Sequence, residues 1–443
     1  MSSIPPPGSS PASPVPFFTP GTIAALVAIV FCLVAVAWRP LSGPEAVSET
    51  ESTALLELQS KLLTGVAKVD HPRAIEEARK LKGLAASPAG AKALASLYLY
   101  LQDDALRGEA RQLLEEAPDD SAAHALLLKA TQGSPGMSAQ DSTLLAGELG
   151  WFGDLATAGG DEAARARVEE TGTRLLLVVG LAGVATFAAF GIGLVLLTVA
   201  ILARDRIKFR LEPALQGRGI YLQAFAIYLI TMIVGGELAG LAGGSVASSS
   251  VVILISLLAG LAYPVLRGVR WSDLRRELGL HWGEGFWREA GAGVIAYVAS
   301  MPIMAIGIGF TVVLQALAGG GEGAPQAISH PILGIMKGAS WPMVALLGIL
   351  AAVQGPVVEE IMFRGALYGS LRSRFGRIVS LVLMAVCFAA VHPQGLLAIP
   401  ALMGLALAFG FMREWRSSLV AGIVTHGLHN GMLLAFLAVA VGG

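Results

Sequence analysis

Nine apolar stretches punctuate this 443-residue chain, at roughly 22–38, 175–203, 220–243, 249–266, 291–318, 341–363, 378–394, 396–412 and 418–441. A bilayer's hydrocarbon core takes about 17–25 apolar helical residues to cross, and each stretch reaches that length. Inside hydrocarbon every backbone polar group needs a partner in the protein, so a chain that crosses many times does so as helices or as a closed barrel. Runs this long and unalternating specify helices. The expected fold is therefore an all-α, polytopic helical membrane protein with about nine transmembrane helices. Charged residues make up only 14% of the chain, against about 25% in soluble domains, and mean hydropathy is +0.67.

The net charge of −1 leaves no basic footprint for nucleic acid. The two cysteines, Cys32 and Cys387, lie in separate apolar stretches, which gives neither a disulfide framework nor a paired-cysteine metal site. Hydropathy divides the chain into a Pro/Ser-rich tail (1–20), an N-terminal transmembrane anchor (21–40), a soluble helical domain (41–172) and a multi-pass membrane domain (173–443). The first apolar stretch has no basic residue before it and ends at Trp38-Arg39-Pro40, unlike a cleaved signal peptide. In the soluble domain Glu77-Ala78-Arg79 recurs as Glu109-Ala110-Arg111, and the turn at Ser87-Pro88 recurs at Ala117-Pro118. That spacing suggests helical hairpins of the tetratricopeptide kind, a surface on which a protein partner docks, or else a helical spacer.

Basic residues fall in alternate loops: Arg204 to Arg210, Arg267 to Arg276, Arg372 to Arg377, and Arg413 with Arg416. The loops between are almost uncharged. By the positive-inside rule the basic loops are cytoplasmic, which puts residues 41–172 outside the cytoplasm in a cell-membrane protein. Trp271 to Glu289 reads as an amphipathic helix along the cytoplasmic surface.

Polar residues within the last apolar stretches carry the functional signal: Glu359, Glu360, Arg364, His392, His426 and Asn430. Each costs free energy in hydrocarbon and marks chemistry unless it is neutralised. Measured along helices from the basic loops at 1.5 Å per residue, Glu359, His392 and His426 sit about 20, 22 and 15 Å deep, a common level. Glu360 and Arg364 are four apart and can neutralise each other on one face, which assigns them to structural support and leaves Glu359 for catalysis. His426 and Asn430 also share a face, and His429 is displaced from it. Pro356 opens the backbone ladder one turn before Glu359, and Pro393 ends the helix that carries His392. A carboxylate and an imidazole on one water can strip its proton for attack on an amide, while a second His with an Asn stabilises the oxyanion. Alternatively, Glu359, His392 and His426 hold zinc with an open position.

The ordered motifs EExxxR (Glu359 to Arg364), FxxxH (Phe388 to His392) and HxxxN (His426 to Asn430) resemble those of the CPBP family of intramembrane proteases. That family includes CAAX prenyl endopeptidases of the Rce1 type and bacteriocin-immunity proteins. The resemblance covers the last hundred residues closely, with the motif core at 341–443. It implies a membrane peptidase in which Glu359 and His392 activate water and His426 and Asn430 form the oxyanion site. It carries over the choice between a metallo and a metal-independent glutamate mechanism. It also implies a substrate that is a peptide or membrane protein, lipidated or not, met among membrane lipids. Residues 41–172 have no counterpart in it. A non-catalytic scaffold or immunity protein that binds a partner through 41–172 is the alternative reading.

Overall fold

The computed structural model describes residues 18–38, 49–133, 137–211, 219–317, 332–336, 339–392 and 394–441. It is helical throughout, with no strand among the described residues. In chain order the helices are α1 (Pro20–Trp38), α2 (Glu49–Ala67), α3 (His71–Arg79), α4 (Pro88–Tyr100), α5 (Asp104–Glu116), α6 (Ala122–Thr131), α7 (Ala139–Leu149), α8 (Trp151–Thr157) and α9 (Glu162–Leu202). They continue as α10 (Ile220–Leu241), α11 (Val246–Leu266), α12 (Trp271–Leu278), α13 (Phe286–Leu317), α14 (Ile332–Met336), α15 (Trp341–Arg372), α16 (Arg377–Ala390), α17 (Ile399–Arg416) and α18 (Val420–Val441).

Seven of these are long and apolar enough to span a bilayer, α9, α10, α11, α13, α15, α18 and the helix that reaches Arg416, with α1 and α16 as shorter apolar helices. The protein is a multi-pass membrane protein. Phe187 is 80% exposed and Leu181 70% exposed on α9, a surface that only hydrocarbon makes favourable. The helix that carries the second apolar stretch begins before that stretch, because α9 runs unbroken from Glu162 and its first turns are polar.

Two compact units divide the chain. One gathers 40–191, 311–348 and 431–443. Its core is built from α4, whose Leu94, Leu97 and Tyr98 are fully buried among residues such as Leu56, Leu106, Leu114, Leu127 and Leu155. Its helices begin where short polar side chains cap the free N–H groups of the first turn: Asp70 accepts from Arg73, Ser87 from Gly90, Asp103 from Leu106 and Ser121 from His124. The two similar triplets meet in space. Ala78 and Ala110 are both buried, and Arg79 Nε lies 3.0 Å from Glu109 Oε1.

The other unit gathers 1–39, 192–310 and 349–430 and holds every polar residue singled out in the membrane domain. Helix α1 is part of its core, with Ala25, Ile29 and Cys32 buried beside Tyr221, Leu222 and Phe225 of α10. At Gly219 an added Cβ would fall 2.0 Å from Thr22 Oγ1, so the start of α10 meets α1 at a contact that only glycine permits.

The arginines that mark the basic loops also have a packing role. Glu414 is fully buried and accepts from Tyr368 Oη (2.5 Å), Arg372 Nε (2.7 Å) and Arg377 Nε (2.9 Å), which ties the ends of α15 and α17 to the start of α16. Arg416 grips buried Glu289 through two nitrogens, at 2.8 and 3.0 Å, and reaches Glu284 as well. Hydrogen bonds from Arg210 and Arg416 hold the Glu284 carboxyl down to about 2. Such pairs are retained within apolar surroundings because each charge and its hydrogen-bonding capacity is matched.

Candidate active site

Helix α15 departs from α-helical winding on both sides of Glu359. Leu350–Gln354 and Glu360–Leu367 are wound as π-helix, with a short α turn, Gly355–Glu359, between them. The cause of the first is in the sequence. Gly355 N–H reaches back to Leu350 O, and the next donor in that register would belong to Pro356, which has none. Ala351 O is the carbonyl thus deprived, and Asn430 Nδ2 donates to it at 3.0 Å. Gln354 adds a second brace, donating to Ser250 O (2.9 Å) and accepting from Ser250 Oγ (2.7 Å) on α11.

Replacing Asn430 with Ala is expected to leave Ala351 O without a donor in apolar surroundings, at a cost of roughly 1–3 kcal/mol. Asn430→Asp, whose carboxylate only accepts, should lose more. Thermal unfolding in detergent checks both; equal stability of wild type and both variants would show that the amide is not the carbonyl's partner.

Glu360 and Arg364 lie in the second π segment. Both are fully buried, Glu360 Oε1 and Arg364 Nη1 are 3.1 Å apart, and Arg364 Nη2 also donates to Ala406 O at 3.3 Å. The guanidinium rests over the rings of Phe388 (4.5 Å) and Phe409 (5.3 Å), where ring quadrupoles favour a cation. Gly422 leaves space for the carboxylate, since a Cβ there would come within 2.7 Å of Glu360 Oε2.

Glu360 has a second partner that spacing on its own helix does not reveal. Its Oε1 lies 3.2 Å from His426 Nδ1, 66 positions along the chain. A carboxylate accepts, so this contact places the ring hydrogen of neutral His426 on Nδ1 and turns a bare Nε2 the other way. His392 is fixed similarly: its Nδ1 is 2.6 Å from Phe388 O, a carbonyl that can only accept, and its ring lies against Phe388 at 4.3 Å. The phenylalanine of the FxxxH pattern thus sets the tautomer through its carbonyl and the ring position through its side chain.

Both Nε2 atoms face Glu359. Its Oε2 is 3.8 Å from His392 Nε2 and 3.7 Å from His426 Nε2, too far for a direct hydrogen bond, and no group among the described residues donates to this buried oxygen. Three acceptors therefore surround one small space. His429 stands apart and pairs with Tyr297 Oη at 3.2 Å. Pro393 lies outside the described residues; the helix before it, α16, stops at Ala390, with His392 just beyond.

The six residues read from the sequence come together in two linked layers. Glu359, His392 and His426 converge, Glu360 and Arg364 lie behind them, and Asn430 secures the backbone of α15. Sequence reasoning missed Gln354 and Phe409. Gln354 carried a legible signal, a polar side chain in an apolar span five residues before Glu359; Phe409 carried none. No group of three His, Cys, Asp or Glu among the described residues is arranged to hold a metal ion. The chemistry proposed below is written for the side chains.

A scan of protein-family models matches residues 341–432 to the Rce1-like family, described as type II CAAX prenyl endopeptidase Rce1-like. The match starts at the first residue of α15 and ends just past Asn430, so it contains all six residues. No curated protein and no solved structure matches the chain.

Proposed function

We propose that this membrane protein, whose residues 341–432 carry an Rce1-like match, is an intramembrane endopeptidase that uses Glu359 as general base. The observation behind this is the position of Glu359 Oε2, 3.7–3.8 Å from two imidazole Nε2 atoms whose tautomers are both fixed from behind. Three acceptors at this spacing suit one water, whose two hydrogens can serve two of them at ordinary distances of about 2.8 Å.

Glu359 takes a proton from that water as its oxygen bonds to the scissile carbonyl carbon, and His392 Nε2 orients the water through the other hydrogen. The carbonyl π pair moves onto oxygen. The proton on Glu359 passes to His426 Nε2, where the Glu360 carboxylate behind the ring stabilises the imidazolium. His426 then presents an N–H to the oxyanion, together with the amide hydrogen of Asn430 not engaged by Ala351. Collapse of the tetrahedral intermediate breaks the C–N bond, and the leaving nitrogen takes its proton from the same pair of groups. The substrate is a peptide or membrane-protein segment, and the family match favours one bearing a prenylated C-terminal motif.

The test is cleavage of a farnesylated CAAX-motif peptide by the purified full chain in water enriched in oxygen-18. Release of the terminal tripeptide, with a single heavy oxygen in the new carboxylate, is the expected result. Transfer of label into no product, or no cleavage of the prenylated peptide and a mixed membrane-peptide pool alike, would overturn the reading.

A further inference from the structure

The converging trio accepts hydrogen bonds and, until a proton has moved, donates none. An oxyanion needs donors already in place as charge develops on it. Asn430 has one amide hydrogen committed to Ala351 O. A further donor at this level lies outside the segment the family match covers.

Tyr228 stands on α10 on the same buried stripe as Tyr221 and Phe225. The ring of Phe225 meets Phe363 of α15 edge-on, with centroids 5.0 Å apart, and anchors the register of the two helices. Two spanning helices, α11 and α13, lie between α10 and α15 in the chain, so α10 and α15 run antiparallel. From Phe225 to Tyr228 is a rise of about 4.5 Å; from Phe363 back to Glu359 is about 6 Å in the same direction. Tyr228 is therefore level with Glu359. Tyr228 is only 2% exposed, its ring packs near Phe225 at 6.0 Å, and its hydroxyl, which makes no hydrogen bond among the described residues, is not fully buried. A phenol whose O–H is uncommitted and still reachable keeps its donor for a group that arrives.

We propose that Tyr228 is a further catalytic residue of the peptidase proposed above, donating its O–H hydrogen bond to the scissile carbonyl oxygen as that oxygen becomes an oxyanion. The tyrosine keeps its proton throughout. The bond formed is from water oxygen to carbon, and the negative charge it creates is met by an O–H that depends on no earlier proton transfer.

Tyr228→Phe removes the hydroxyl and keeps the ring that packs with Phe225. In the full chain, with the farnesylated CAAX-motif peptide as probe, kcat is expected to fall roughly 10²–10³-fold, as for loss of one oxyanion donor. KM should stay within about threefold and the unfolding temperature close to wild type. Tyr228→Leu, which also loses ring packing, reports the structural contribution through its unfolding temperature. Unchanged kcat in Tyr228→Phe, or a fall matched by an equal loss of folded protein, would overturn the assignment. A parallel Glu359→Gln variant separates the two proposals: its inactivity alongside an unaffected Tyr228→Phe defeats only the tyrosine's role, and its full activity defeats the peptidase reading itself.

Discussion

Glu359→Gln is expected to lower kcat by about 10²–10⁴-fold, the usual worth of a positioned general base. Glutamine matches glutamate in size and can still face His392 and His426, but its amide oxygen cannot take up a proton at neutral pH. KM for the farnesylated peptide should barely change, because the base acts in the transition state rather than in holding substrate. Stability should not fall, since no group among the described residues donates a hydrogen bond to Glu359 Oε2. Steady-state cleavage with thermal unfolding of the same samples measures both. A Glu359→Gln protein that retains activity within threefold of wild type would remove the glutamate from the reaction.

Arg364→Ala is expected to be the most destabilising single change in the membrane core, at about 3–5 kcal/mol. The guanidinium is fully buried between two phenylalanine rings and is the cation facing Glu360. Removing it strands a carboxylate that also holds His426, so folding and the orientation of a second site residue fail together. The double variant Glu360→Gln/Arg364→Ala, which removes the stranded charge, should recover part of the lost stability and none of the activity. Thermal unfolding in one detergent, followed by tryptophan fluorescence, decides it: a loss below about 1 kcal/mol for Arg364→Ala would mean that water or lipid headgroups reach Glu360.

The membrane half of the fold was legible because hydropathy at this strength leaves only helices. The site was legible as far as residues share a helix or a depth. Glu359, His392 and His426 lie at similar distances from their basic loops, and that agreement points to one cluster. The contact between Glu360 and His426 was not legible, because it depends on how α15 and α18 pack, and the i, i+4 pairing with Arg364 already accounted for the charge. The work of Asn430 was hidden for another reason. It answers a carbonyl left bare by π winding around Pro356, and periodicity arguments assume regular α winding. Gln354 was overlooked as a single polar residue in an apolar span, although it braces the same irregular turn.

Helix α1 shares a core with α10, yet about 180 residues lie between the end of one and the start of the other. At the 5–20 residues per second of ribosomal synthesis, α1 waits on the order of 10–40 s in the bilayer before its partner is made. Throughout that interval Thr22, which the finished protein encloses against Gly219, faces lipid or a temporary companion. In the helices between, by contrast, leucines such as Leu94, Leu106, Leu114 and Leu127 are buried together among neighbours made within seconds of one another. Biogenesis of this protein therefore runs in two tempos, and an insertion factor that chaperones the first helix would act during that delay.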